Sequence, residues 1–357
     1  MKNAPDHRQG VPTWLRVLIP VVLILVWFGL FGAGGASFGR ISQVATNDQV
    51  QQLPASANAT RVQALQTEFR GTDALPGVLV YQRGAGLSQA DQAEIDSQVA
   101  DLAALDGVVS ASVSPAILSD DGKAAEAFLP LDTAVKPAET VKEIRAYLAG
   151  HPITGVDVYV TGPAGLIADL TGAFAGIDGI LLLTALAAVL VILIIVYRSP
   201  LLPLIVLGTS LAALCASVLV VVALAGADVL ILTGQTQGIL FILVIGAATD
   251  YSLLYVSRYR EALRDHERKW DATWVALRGS LEPVLASGGT VIAGLLCLLL
   301  SDLNSNKALG PVSAIGIAFA VMAALTLLPA LLLWAGRAAF WPIRPAFGSV
   351  HPDLVGA

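Results

Sequence analysis

Apolar residues gather in six long runs, and polar residues fill the gaps between them. The runs are Val17 to Ala36, Ile177 to Val196, Leu201 to Ala225, Gly238 to Ser257, Pro283 to Leu300 and Pro311 to Trp334. A helix needs about 20 apolar residues to cross a bilayer. Each run therefore predicts one spanning helix. For Val17 to Ala36 a cleaved leader is the alternative, because Ala33 to Ala36 are small enough for a cleavage site.

Between Ser37 and Gly176 the pattern changes to that of a soluble α+β domain. Val78 to Gln82 and Ala124 to Leu131 read as strands. Val108 to Val113 alternates with Ser110 and Ser112 on one face, which predicts another strand. Val156 to Thr161 is the last strand. Leu87 to Leu105 reads as a helix with Ser88 as its N-cap and Glu94, Asp96 and Asp101 exposed. Pro137 to Leu148 reads as a helix with Pro in its first turn. The order is β-α-β-β-α-β, the ferredoxin-like order.

The predicted fold class is thus a membrane-embedded α-helical bundle of about six helices, with a βαββαβ domain between helices 1 and 2. The divisions are 1–36 (N-terminus and helix 1), 37–176 (the α+β domain), 177–335 (helices 2–6) and 336–357 (a tail). Tyr259, Leu263, Trp270, Trp274, Leu277 and Leu281 recur at helical steps among Arg and Glu. They predict an amphipathic helix over 258–281, lying at the membrane interface.

Composition agrees: 55% of the 357 residues are hydrophobic and 13% charged, against about 25% charged in soluble domains. Mean hydropathy is +0.72. Lys2, Arg8, Arg16, Arg198, Arg258, Arg260, Arg264, Arg268, Lys269, Arg278 and Arg337 all fall on one side if every run crosses. That side is expected to be the cytoplasm, with 37–176 extracytoplasmic. Cys215 and Cys297 lie in apolar runs, so no disulfide framework is expected. The four histidines are scattered, and no cofactor or metal is expected.

One residue breaks the apolar pattern. Asp250 lies well inside the fourth run. An ionised carboxylate at that depth costs about 2.5–3.5 kcal/mol on insertion scales, and such acids often mark proton or ion paths. Gly246 and Ala247, one turn earlier, are small enough to let another helix approach. Thr249 and Tyr251 offer hydroxyls to a carboxylate. Against this stands a structural Asp held by a neighbour, or one that snorkels toward the arginines. An aspartyl protease needs a second carboxylate, and no second acid lies well inside a run. Phosphate loops, nucleophile elbows and metal motifs are absent from the sequence, so an enzyme is not expected.

The layout, together with "DQVQQLPASANATRVQAL" (48–65), "YRSP" (197–200), "GAATDYSLLYVSRYREAL" (246–263), "LTLLPALLLWAGR" (325–337) and "FWP" (340–342), resembles the N-terminal half of a resistance-nodulation-division transporter. The motifs are similar to those of its MMPL branch (mycobacterial membrane protein, large). The resemblance implies proton-driven export of lipids or hydrophobic small molecules, with 37–176 as a porter-type domain. It implies that Asp250 and Tyr251 form a proton-relay pair facing an equivalent pair on the second half. Arg258 and Arg260 would anchor the cytoplasmic end. This sequence carries no second Asp-Tyr copy. The implied partner is therefore another half, as a separate chain or a second copy of this one, or the sequence is a fragment. Membrane lipids and protons are the other expected partners, and nucleic acid is not one. The rival reading is a scaffold or lipid-sensing module, because the helix cluster also resembles sterol-sensing domains.

Overall fold

The computed structural model describes residues 12–44, 53–54, 56–70, 74–133, 137–175 and 177–349. Lys2, Arg8, the start of the 48–65 motif and the end of the tail lie outside these residues. The chain divides into two compact units, 1–54 with 180–357, and 55–179.

The 55–179 unit holds α2 (Asn58–Arg70), β1 (Leu75–Gln82), α3 (Gln89–Ala103), β2 (Ile117–Leu118), β3 (Ala124–Leu131), α4 (Pro137–Gly150), β4 (Asp157–Thr161) and α5 (Gly162–Ala175). The sheet has the order β2-β3-β1-β4 with every neighbouring pair antiparallel. Alternation sends Leu79, Tyr81, Ala125, Ala127, Leu129 and Leu131 to one face. There they pack with Ile95, Val99 and Leu102 of α3 and Val141, Ile144 and Leu148 of α4.

Helix α3 starts where its sequence predicts. Ser88 Oγ accepts from the Asp91 amide at 3.2 Å, and Asp91 Oδ2 accepts from the Ser88 amide at 2.8 Å. This is a reciprocal capping box. At the other end of the domain the chain passes from β4 straight into α5 through Gly162, at φ +81°. Such a dihedral strains any residue with a Cβ.

The strand expected over Val108–Val113 does not form. Val108 makes a single bridge to Leu131, and Ser110–Ser112 turn into 3-10 helix. The reason lies across the sheet. The amide of Phe128 donates to Ser114 Oγ at 2.8 Å, so a side chain occupies a place in the ladder that a backbone carbonyl would fill. The Val109 and Ser114 amides still donate to the Pro130 and Phe128 carbonyls, and regular pairing with β3 forms beyond Pro115, in the two-residue β2.

The other unit holds α1 (Thr13–Val44), α6 (Ile177–Tyr197), α7 (Leu201–Gly226), α8 (Gly234–Asp265), α9 (Lys269–Leu296), α10 (Asn304–Leu325) and α11 (Leu327–Ala335). Among the described residues, five stretches are helical, long and apolar enough to cross a membrane: Trp14–Ile41, Leu201–Gly226, Gly234–Asp265, Lys269–Leu300 and Asn304–Phe340. Leu182–Tyr197 is a shorter apolar helix. Helix α7 packs on α1, α8 and α10, and α10 also packs on α8 and α9. Their shared core includes Ala213, Leu214, Val218, Leu240, Val244, Ile317 and Ala320. By contrast α1, α6 and α9 leave many large apolar side chains exposed, among them Leu25, Phe28, Leu183, Ile195 and Leu285. An apolar surface of that kind suits lipid.

The single amphipathic helix expected over 258–281 is not there. Helix α8 ends at Asp265, residues 266–268 are non-helical, and α9 starts afresh at Lys269. The guanidinium of Arg337 caps the break. It donates to the carbonyls of Leu263 (2.7 Å), His266 (2.9 Å) and Glu267 (3.0 Å), and the Gly348 amide donates to the Arg264 carbonyl, so acceptors freed where the helix ends find partners. Tyr259 and Leu263 are buried in the bundle, whereas Trp274 and Leu281 are exposed, so the six positions do not share a face.

Candidate functional site

Helix α8 positions the residues around Asp250. It runs for 32 residues, about 48 Å at 1.5 Å per residue. Thr233 and Thr236 fix its start with a second capping box.

Consecutive side chains on a helix point about 100° apart, and three neighbours here take three directions. Thr249 faces α7, with its Oγ1 3.3 Å from Ser210 Oγ. Ser210 in turn donates to the Val206 carbonyl, so the contact between the two helices is satisfied. Tyr251 is buried and faces α9 and α10. A Cβ at Gly288 of α9 would lie 3.6 Å from its hydroxyl and would overlap Val321 of α10. Glycine at 288 thus makes room for Val321, with the Tyr251 hydroxyl at ordinary contact distance beside it.

Asp250 points away from both and is exposed. It makes no hydrogen bond or ion pair among the described residues. It lies on a stripe with Gln235, Ile239, Ile242, Leu253 and Ser257, all exposed and repeating every three or four residues. Gly246 and Ala247 are half-buried on the same stripe, and a Cβ at Gly246 would meet nothing within 4 Å. The structure therefore brings Asp250, Gly246 and Ala247 to one face and places Thr249 and Tyr251 on others. Sequence reasoning missed Ser210 and Gly288. Neither carries a charge in an apolar run, which was the signal that exposed Asp250.

The basic ends meet at one pole of this unit. Ser199, next to Arg198, donates to the Ala339 carbonyl at 2.9 Å. Arg16 sits 6.0 Å over the Trp270 ring, and Lys269 donates to the Trp334 carbonyl. Arg258 pairs with Glu261 at 3.6 Å on the surface. Arg260 is half-buried.

The arrangement can present one carboxylate on an apolar helix face that the described residues leave uncovered. The comparisons fit a membrane protein of this kind. A model of the MMPL family matches residues 51–352. The membrane protein SCO0839 of Streptomyces coelicolor is 46% identical over 348 residues, covering 96% of this chain and 49% of its own length. The apo-petrobactin exporter of Bacillus anthracis is 35% identical over 203 residues, covering 56% of this chain and 27% of its own. The siderophore exporter MmpL5 of Mycobacterium tuberculosis is 34% identical over 225 residues, covering 61% and 23%. The chain spans about half the length, or less, of the curated relatives it matches. With its apolar helices and this match over most of its length, the chain is a multi-pass membrane protein that belongs to the MMPL family.

Proposed function

We propose that this chain is one half of a proton-motive-force-driven exporter of lipids or hydrophobic small molecules across the plasma membrane. The observation that carries the reading is the exposure of Asp250 on an apolar face of α8. A carboxylate turned to lipid at that depth is costly, so a partner or a water-filled path is needed to cover it. Gly246 supports a partner: among the described residues nothing packs where its side chain would be, which leaves room for another helix. A second half, whether in the same polypeptide, a separate chain or a second copy, covers this stripe. Asp250 carries the proton. Tyr251, seated against Gly288, fixes the rotation of α8 and so the direction in which Asp250 faces.

In this reading six helices cross the bilayer, Leu182–Tyr197 belonging to the sixth. The basic pole faces the cytoplasm, with Arg258 and Arg260 at its end of α8. The 55–179 unit is a ferredoxin-like, porter-type domain outside the membrane, for which the strand order β2-β3-β1-β4 is the support. Relatives named as exporters support transport as the general activity.

The test is an export assay in vesicles, with the second half supplied and a proton gradient imposed. Asp250→Asn keeps the size of the side chain and removes its proton. Export falls at least about 100-fold if the carboxylate carries the proton, as expected for loss of a positioned proton-transfer group. Undiminished export at normal abundance overturns the relay role.

A further inference from the structure

The basic pole holds a cluster that the proton reading does not use. Arg260 and Arg264 lie one turn apart on α8, on the same face. Arg198 is in the turn between α6 and α7, held at φ +52°. Tyr197, beside it, packs into the same apolar cluster as Tyr259 and Leu263 of α8. Arg260 is partly withdrawn from water and feels the like charges of Arg264 and Arg198. The Nε atoms of Arg260 and Arg264 are buried and have no hydrogen-bond partner among the described residues, and the Tyr197 hydroxyl shares that condition. Among the described residues neither Arg260 nor Arg264 forms an ion pair, and Glu261 is engaged by Arg258.

Like charges one turn apart repel, and a buried donor with no acceptor costs as much as a lost hydrogen bond. A chain that retains three arginines in this arrangement offers forked donors that match a phosphate. We propose that Arg198, Arg260 and Arg264 form an anion site for a phosphate group at the basic end of α8. The pole lies where an apolar helix ends, which is the depth of a lipid headgroup, so an anionic phospholipid is one source and free phosphate the other.

The two sources separate by experiment. The full chain is placed in nanodiscs of phosphatidylcholine with or without phosphatidylglycerol, and bound lipid is counted by native mass spectrometry. The wild-type chain retains phosphatidylglycerol, and Arg260→Gln with Arg264→Gln lowers its occupancy at least about tenfold. Arg258→Gln with Arg268→Gln removes as much charge outside the cluster and leaves occupancy within about twofold. If the first pair does not fold, Arg198→Asn, which suits a positive φ, gives the same readout from the other element. In a second arm, inorganic phosphate is added to phosphatidylcholine discs at constant ionic strength. A rise in melting temperature that the Arg260 and Arg264 changes abolish, without lipid selectivity, assigns the site to free phosphate. Equal losses from both pairs, or no response to either phosphate source, overturn the proposal.

Discussion

The hydroxyl of Tyr251 lies 3.6 Å from where a Cβ on Gly288 would stand. This close fit joins α8 to α9 one residue from the exposed carboxylate. Leu in place of Gly288 would drive into both Tyr251 and Val321. We expect a loss of about 1–3 kcal/mol of stability, as for overpacking elsewhere. Thermal melting of the purified chain in detergent checks this, and an unchanged melting temperature would show the contact to be loose.

Gly246 gives the opposite expectation, although it lies on the same helix. Nothing stands within 4 Å of a Cβ placed there. Gly246→Leu should leave the isolated chain within about 0.5 kcal/mol of wild type, as surface changes do. If a second half covers the stripe, the same change blocks assembly. Co-purification of the two halves reads the second effect, and melting of the single chain reads the first. Normal assembly with the leucine in place would sink the interface reading.

The capping box of α3 makes its start sensitive to acid. The Asp91 carboxylate is held below the usual range by the Ser88 backbone amide, then by the Ser88 hydroxyl and by Arg83. A depressed folded-state value means that the contribution is present at neutral pH and is lost as pH falls through that value. Protection of the first-turn amides of α3, relative to their intrinsic exchange rates, should therefore hold down to about pH 4, the ordinary Asp value, and fall below it. Asp91→Asn should make exchange in that turn faster at neutral pH and flatten its acid dependence. An unchanged profile in the variant would remove Asp91 as the cause.

Much of this was legible because hydrophobic burial and capping act locally. Ser88 marked the start of α3, and the strand read over Ala124 to Leu131 is β3 to the residue. The apolar runs outlined the long helices in the same way. What escaped were effects of distant residues. The end of α8 is capped by Arg337, more than 70 residues later, so periodicity alone carried the expected helix through residues 266–268. The missing strand at 108–113 depends on a hydroxyl, Ser114, competing with backbone across the sheet. The stripe around Asp250 was readable as chemistry, yet Gly288 and Ser210 became visible only once their helices were brought alongside α8.

Trp27 of α1 donates its indole N–H to Thr326 Oγ1 at 3.0 Å, at the break between α10 and α11. The Thr326 hydroxyl donates in turn to the Met322 carbonyl, completing a short chain of hydrogen bonds. Trp27→Phe keeps most of the ring and loses the donor. We expect a cost of about 0.5–1.5 kcal/mol. A melt compared with Thr326→Val in a double-mutant cycle isolates the pair, and additive losses would show that the bond contributes nothing.

The continuity of α8 also sets a distance. Asp250 lies 16 residues from Gly234 and 15 from Asp265, so about 24 Å and 22 Å of helix separate it from either end. No side-chain movement spans such a gap. A proton that reaches this carboxylate must travel along a file of several waters, or the helix must shift to open one.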